Sequence, residues 1–286
     1  MRHIKIFVEL TRLNKPIGFM LLFWPCSWGL AYAYSIDQNL SLFLYYLLLF
    51  FLGSVLMRSA GCIFNDIVDK DFDKKVKRTK TRPIASGKIS VKKSLFYVLI
   101  LCLLAFIILI QFNLFTIVLG MSSMILAFTY PFMKRITYWP QLFLGITFNW
   151  GIIMAWSAIN NNINPEIIIL YMSAIFWTLG YDTIYGAQDM SDDEIIGLKS
   201  TSIKFKNNII LFVFISYLIS LLFLLYLFKD FFGKNIFTFF YITFNLTYIY
   251  QLIELRKKET KNYLKLFKFN NYTGLLLFIV ICSINF

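Results

Sequence analysis

Residues 63–88 read IFNDIVDKDFDKKVKRTKTRPIASGK and form the most polar stretch in the first half of the chain. This stretch follows a long apolar run and holds four aspartates and eight basic residues. A hydrophobic segment that ends in a row of carboxylates indicates a membrane helix with a polar site at its end. The apolar runs around it therefore decide the fold.

The chain has 286 residues, of which 59% are hydrophobic, and its mean hydropathy is +0.68. Its apolar residues lie in long uncharged runs, and about 20 apolar residues suffice for a helix to cross a membrane. The run 94–133 is too long for one helix, so we divide it at residues 111–113. We predict an all-α membrane protein that forms one domain over residues 1–286. Its nine spans are predicted at residues 17–35, 40–63, 93–112, 114–132, 138–158, 165–186, 207–228, 235–254 and 269–285.

The basic residues orient these spans. Of the 28 lysines and arginines, 25 fall on one side of the predicted membrane. Because basic loops stay in the cytoplasm, we expect a cytoplasmic N-terminus and a C-terminus on the far side. The net charge of +13 mostly reflects this bias. The same basic residues can also attract anionic membrane lipid. We expect no nucleic-acid partner.

A first acidic motif repeats oxygen-bearing side chains every four residues, at Asn65, Asp69 and Asp73. At about 100° per residue, these side chains line one face if the second span continues past the membrane edge. Arg58 lies deeper on the same face, and an ionisable residue inside a span usually faces a polar cavity. Ligands that offer only oxygen suit Mg²⁺, which commonly bridges to substrate phosphates. Arg78 and Arg82 follow in the basic run and are candidates for phosphate contacts.

A second acidic motif ends the sixth span. Asp182, Tyr185 and Asp189 follow at i, i+3 and i+7, the spacing of one helical face. Lys199 comes after this motif, and Lys134 lies in another loop on the same side. Both motifs end even-numbered spans, so they can face each other across one mouth. Two facing carboxylate clusters predict a site for Mg²⁺ and a diphosphate.

These motifs resemble those of the UbiA superfamily of intramembrane prenyltransferases. Residues 65–73 match its pattern N-D-x-x-D-x-x-x-D, and residues 182–189 match D-x-x-Y-x-x-x-D. Flanking segments such as LNKPIGFMLLFWPCSWGL and VKRTKTRPIASGKIS look most like the 4-hydroxybenzoate polyprenyltransferases within that superfamily. The resemblance extends from residue 10 to about residue 205 and weakens beyond.

The resemblance implies nine transmembrane helices around a central cavity. We expect the membrane to be a bacterial inner membrane, and the charge distribution then places the C-terminus in the periplasm. It implies Mg²⁺-dependent transfer of a prenyl group from polyprenyl diphosphate to 4-hydroxybenzoate, at the ring carbon ortho to the hydroxyl, in ubiquinone synthesis. The residues that would hold Mg²⁺ and diphosphate are Asn65, Asp69, Asp73, Asp182 and Asp189.

The acceptor carries a carboxylate, so its site needs a cation. Arg58 is the first candidate because it is deep and faces the site, and Arg12 and Lys15 are the next. Two other functions remain open from sequence. One is a related enzyme with another acceptor, such as haem, homogentisate or a naphthoate, and the other is a cation-coupled transporter. The acids lie at one membrane surface rather than at the midplane, which disfavours a transporter.

Overall fold

The computed structural model describes residues 2–233, 235–257 and 260–286, and this described part contains helices and no strand. Within it, nine helices are long and apolar enough to cross a membrane, and seven of them line a central cavity. The α-helices, in chain order, are α1 (Arg2–Thr11), α2 (Ile17–Asp37), α3 (Leu40–Val68), α4 (Lys70–Asp73), α5 (Val91–Leu109), α6 (Leu114–Thr129), α7 (Met133–Ile136), α8 (Pro140–Asn160), α9 (Pro165–Gly186), α10 (Met190–Ile195), α11 (Thr201–Lys204), α12 (Ile209–Leu227), α13 (Asn235–Leu255) and α14 (Thr260–Cys282).

Asparagine side chains begin three of the spans. The Oδ1 atoms of Asn39, Asn113 and Asn164 accept hydrogen bonds from backbone N–H groups three residues later, at 3.1, 2.9 and 3.0 Å. Each bond satisfies one of the N–H groups that a helix start leaves without a partner. The predicted division of the long apolar run is confirmed, since α5 ends at Leu109 and α6 begins at Leu114.

Two glycines allow the central helices α2 and α8 to approach closely. A Cβ on Gly29 would collide with the backbone oxygen of Ile152, and a Cβ on Gly151 would collide with the sulfur of Cys26. Small residues at such crossings let backbones come together where lipid provides no hydrophobic drive. Close packing here fixes α2 as one wall of the cavity.

A buried hydrogen-bond network holds α14 against the other helices. Asn270 accepts a bond from Trp177 Nε1 at 2.9 Å and donates to Gln251 Oε1 at 2.9 Å. Tyr217 donates to the same Gln251 oxygen at 2.8 Å. Buried polar groups in a membrane helix need such partners because lipid supplies none. The network fixes the helix whose first half borders the cavity.

Two predicted boundaries are wrong. The second span was expected to end near residue 63, but α3 continues to Val68. The last span was expected to begin at residue 269, but the apolar helix already includes Asn262. In both cases the helix extends into polar sequence because side chains of that extension line the cavity and contact other helices, which hydropathy alone does not register.

Candidate functional site

A cavity of about 1410 Å³ lies among α2, α3, α5, α6, α8, α9 and the first half of α14. Its polar end contains both acidic motifs and the loops that follow them. Its remaining walls are largely apolar and include Leu49, Phe50, Leu103, Phe106, Met121 and Met154. Phe50 and Asp69 both line the cavity, and a rise of about 1.5 Å per residue separates them by roughly 28 Å along α3. The cavity therefore combines a charged head with a long apolar body.

The first acidic motif reaches this head at the end of α3. The predicted continuous helix is wrong at Asp69, whose φ of −90° and ψ of 4° separate α3 from α4. Backbone bonds nevertheless continue across the break, from Asp69 N–H to Asn65 O at 2.9 Å and from Asp73 N–H to Asp69 O at 2.8 Å. The three side chains consequently line the same cavity.

Basic side chains already engage the carboxylates of this motif. Asp69 is 1% exposed, and its Oδ2 accepts bonds from Asn65 Nδ2 at 3.0 Å and from Lys134 Nζ. Asp73 Oδ2 accepts a bond from Arg82 Nη1 at 2.8 Å. Burial raises the pKa of the Asp73 carboxyl, and the Arg82 guanidinium opposes that shift. Lys134 and Arg82, from two separate segments of the chain, thus form ion pairs with these acids.

The second acidic motif leaves its helix earlier than predicted. Asp182 and Tyr185 lie in α9, but α9 ends at Gly186, and Asp189 instead precedes α10. The three residues therefore do not share one helical face, although all three line the cavity. At Gly186 the side chain of Ser202 packs against the backbone, where a Cβ would lie 2.6 Å from Ser202 Oγ.

An ion pair joins the two motif regions. Arg78 donates from Nε to Asp189 Oδ1 at 2.8 Å and from Nη2 to Asp189 Oδ2 at 2.5 Å. Its guanidinium also lies 5.9 Å from the centre of the Tyr185 ring. The parallel bonds match the planar fork of arginine to a carboxylate. The structure thus brings the predicted residues Arg78, Tyr185 and Asp189 together.

Arg58 occupies a different environment, deeper in the cavity. It has no salt bridge to any described residue, and its buried Nε has no hydrogen-bond partner there. A Cβ on Gly18 would lie 2.9 Å from this Nε, so a larger residue there would push the Arg58 side chain out of its present position. The guanidinium carbon lies 5.3 Å from the centre of the Phe148 ring. Arg58 is thus a buried cation that forms no direct ion pair with an acid among the described residues.

The other predicted basic residues differ in their surroundings. Arg12 Nη2 donates to Asp66 Oδ1 at 2.5 Å, whereas Lys15 is exposed beside the cavity mouth. Lys199 is also at the mouth, but its Nζ donates to the backbone oxygen of Ile136 at 3.1 Å. Its backbone N–H donates to Lys134 O at 2.8 Å. Lys199 therefore contacts both ends of α7, the short helix that carries Lys134, and forms no ion pair with an acid in the described part of the chain.

Sequence reasoning missed two acids of the cavity. Asp66 is 2% exposed and pairs with Arg12 and Arg82. Asp193 borders the cavity near Asp189, and burial, together with the Asp189 carboxylate, raises the pKa of its carboxyl to about 6. Neither residue falls on the four-residue repeat, although Asp66 is the second residue of the matched N-D-x-x-D-x-x-x-D pattern and was given no role there.

The donor chemistry of the head fits a hard cation. Asn65 and the aspartates offer oxygen atoms, which Mg²⁺ prefers, and the buried Oδ1 of Asp69 has no hydrogen-bond partner among the described residues. The described part of the chain does not hold three acidic, histidine or cysteine side chains close enough to bind a metal as they stand. A metal would therefore have to displace some of the basic side chains from the carboxylates.

Comparison with known proteins identifies a matching family model, the UbiA prenyltransferase family, over residues 22–272. The mitochondrial 4-hydroxybenzoate polyprenyltransferase of Rattus norvegicus is 47% identical over 208 residues, which are 72% of this chain and 55% of the rat protein. The mitochondrial protein of the same name from Homo sapiens is 48% identical over 72% of this chain and 56% of its own length. The match thus spans about half the length of these curated relatives.

Solved structures share the fold at low sequence identity. The apo structure of a UbiA homolog from Aeropyrum pernix K1 matches with a TM-score of 0.76 and 21% identity, covering 90% of this chain and 94% of that one. A UbiA homolog from Archaeoglobus fulgidus bound to GPP and Mg²⁺ matches with a TM-score of 0.69 and 15% identity, covering 98% and 99%.

Proposed function

Because the chain belongs to the UbiA prenyltransferase family, we propose that it transfers a polyprenyl group from polyprenyl diphosphate to 4-hydroxybenzoate. The new bond forms at the ring carbon ortho to the hydroxyl, and the product is an intermediate of ubiquinone synthesis. The names of the rat and human relatives support this acceptor. The relatives extend well beyond the matched region, so the activity of the whole protein is part of the proposal.

One observation carries the proposal furthest. Cations and carboxylates alternate at the head of a long apolar cavity, with Lys134 on Asp69 and Arg78 on Asp189. A prenyl diphosphate has the matching form, because it joins a multiply charged head to a long hydrocarbon chain. The apolar walls receive the chain, and the charged head receives the diphosphate.

Asn65, Asp69, Asp73, Asp182 and Asp189 would hold Mg²⁺ in this proposal. Bound Mg²⁺ would supply positive charge that neutralises the diphosphate and makes it a better leaving group. The Archaeoglobus fulgidus homolog bound to GPP and Mg²⁺ supports this combination of ligands.

The protein's own cations would hold the diphosphate oxygen atoms. Arg78, Arg82 and Lys134 each lie at the head, and each is only partly exposed, at 45, 20 and 27%. Such charges act strongly where water is excluded. With the carboxylates holding a metal, these cations would be free to donate to phosphate oxygens.

The acceptor would bind with its carboxylate on Arg58, the deep cation without an acidic partner. In the reaction, the bond from the first prenyl carbon to the diphosphate oxygen breaks, and its electron pair leaves with the diphosphate. The ring carbon ortho to the hydroxyl then forms the carbon–carbon bond and gives its proton to a base in the cavity. The Phe148 ring beside Arg58 and the apolar walls keep water from the electron-deficient prenyl carbon.

The chain is an integral membrane protein, and we propose that its membrane is a bacterial inner membrane. The side with the basic loops would then face the cytoplasm, and the C-terminus would lie in the periplasm. The related rat and human proteins are mitochondrial.

Purified protein tests the proposed reaction. It should prenylate 4-hydroxybenzoate when polyprenyl diphosphate and Mg²⁺ are present, and mass spectrometry of the product should show one prenyl group on a ring carbon. Homogentisate and a naphthoate serve as alternative acceptors. The proposal is wrong if one of these reacts and 4-hydroxybenzoate does not, or if no acceptor reacts while the diphosphate binds.

A further inference from the structure

Asp66 is a buried acid at the cavity head that pairs with two arginines. A single oxygen, Oδ1, accepts bonds from Arg12 Nη2 at 2.5 Å and from Arg82 Nη1 at 3.1 Å. The side chain is 2% exposed. A buried carboxylate is stable only when it is paired, and here two arginines from distant parts of the chain supply the pairing.

Asp66 points away from the predicted ligands. It follows Asn65 by one residue, so on α3 it projects about 100° away from that side chain. That direction leads towards the junction between α1 and α2, where Arg12 lies. Neither of its arginines bonds to Asp69, whose basic partners are Lys134 and Arg135.

The backbone of Arg12 is held in an unusual conformation. Its φ of 55° lies in the left-handed region, which costs a residue with a side chain roughly 1–2 kcal/mol. Its carbonyl accepts the Lys15 N–H at 2.8 Å in the turn that joins α1 to α2. From this turn the Arg12 side chain reaches Asp66 at the cavity head. The turn and the ion pair together fix the position of the guanidinium.

Arg82 connects the same group to the first motif. Its Nη1 bonds to Asp73 at 2.8 Å as well as to Asp66. The four side chains, two acids and two arginines, have no net charge together. If Asp73 binds another cation, the three remaining side chains, Arg12, Asp66 and Arg82, have a net charge of +1 beside the cavity. Each guanidinium has five N–H donors, so both keep free donors for an anion.

We propose that Asp66 is a positioning residue that fixes the guanidiniums of Arg12 and Arg82 to bind diphosphate oxygens, and that it is not a metal ligand. This inference rests on the proposed function, because it takes the diphosphate of that reaction as its ligand. The first motif then contains acids that bind the metal, Asp69 and Asp73, and one acid, Asp66, that pairs with arginines.

The test is a binding measurement on purified full-length protein in detergent, with inorganic diphosphate as the probe at saturating Mg²⁺. Asp66→Asn should weaken diphosphate binding by about tenfold or more, the effect of a lost charged hydrogen bond. At saturating polyprenyl diphosphate, the Mg²⁺ concentration for half-maximal activity should stay within about twofold of the wild-type value, whereas Asp69→Asn should raise it. Asp71→Asn is the matched control, because Asp71 belongs to the same segment but is 83% exposed and forms an ion pair with Lys74.

Three results would overturn the inference. Diphosphate affinity in Asp66→Asn could stay within about twofold of wild type, or its Mg²⁺ requirement could rise as in Asp69→Asn. The third is a double variant, Asp66→Asn with Arg12→Ala, whose loss of diphosphate affinity equals the sum of the two single losses in free energy. Residues that act through one another give non-additive effects. If Asp66→Asn does not fold, Arg12→Ala and Arg82→Ala are measured alone, and unchanged diphosphate affinity in both contradicts the inference. Failure of the wild-type protein to bind diphosphate would instead contradict the proposed function.

Discussion

Arg78 and Asp189 are separated by 111 residues, yet they form a hydrogen-bonded ion pair at the polar end of the cavity. The pair joins the loop after the first motif to the second motif. It shows how the chain balances a cluster of acids when only its own residues are present.

This pairing predicts that Mg²⁺ and diphosphate bind cooperatively. Mg²⁺ alone must displace Arg78 from Asp189 and Lys134 from Asp69, and the displaced cations then have no anion. With diphosphate present, the cations move to phosphate oxygens. We expect inorganic diphosphate to tighten Mg²⁺ binding by at least about tenfold, or 1.4 kcal/mol. Calorimetric titrations with and without diphosphate measure this coupling, and equal Mg²⁺ affinities would contradict it.

The buried carboxylate of Asp69 predicts a large loss of activity on substitution. Asp69→Ala should lower kcat by more than about tenfold, which corresponds to about 1.4 kcal/mol, because it removes an oxygen pair from the proposed metal site. The variant should still insert and fold. Asp71→Ala is the matched control and should keep near wild-type kcat, since its side chain is exposed. An Asp69→Ala enzyme above a tenth of wild-type kcat refutes the metal assignment.

The environment of Arg58 predicts a selective effect on the acceptor. Arg58→Ala should raise KM for 4-hydroxybenzoate by roughly 10- to 150-fold, since a charged hydrogen bond contributes about 1.5–3 kcal/mol. KM for polyprenyl diphosphate should change little. A phenol without the carboxylate should bind the wild type poorly and lose little more in the variant. The opposite pattern, a raised KM for the diphosphate alone, would assign Arg58 to the diphosphate and leave Arg12 or Lys15 for the acceptor.

The distribution of basic residues predicts the topology. A tag on the N-terminus of this chain, expressed in a bacterial inner membrane, should react only with reagents in the cytoplasm. A tag on the C-terminus should react only from the periplasm. The described part of the chain holds nine spans, an odd number, so tags that react from the same side would be inconsistent with this arrangement.

The sequence by itself determined the membrane fold and the residues of both motifs. Runs of about 20 uncharged residues are sufficient to predict spans, and a four-residue repeat of carboxylates marks a helix end that faces a common space. Both patterns involve residues that are close together in the chain. They can therefore be recognised without any knowledge of how the helices pack.

Only the tertiary structure decided which charges meet. No local pattern pairs Arg78 with Asp189, or Arg12 with Asp66, because these contacts depend on how distant segments fold together. The breaks at Asp69 and Gly186 and the early start of α14 have the same origin. At these places contacts across the cavity outweigh the helical and apolar preferences of the local sequence. Arg58 is the converse case, since its lack of an acidic partner is visible only once every neighbour in the described structure is in place.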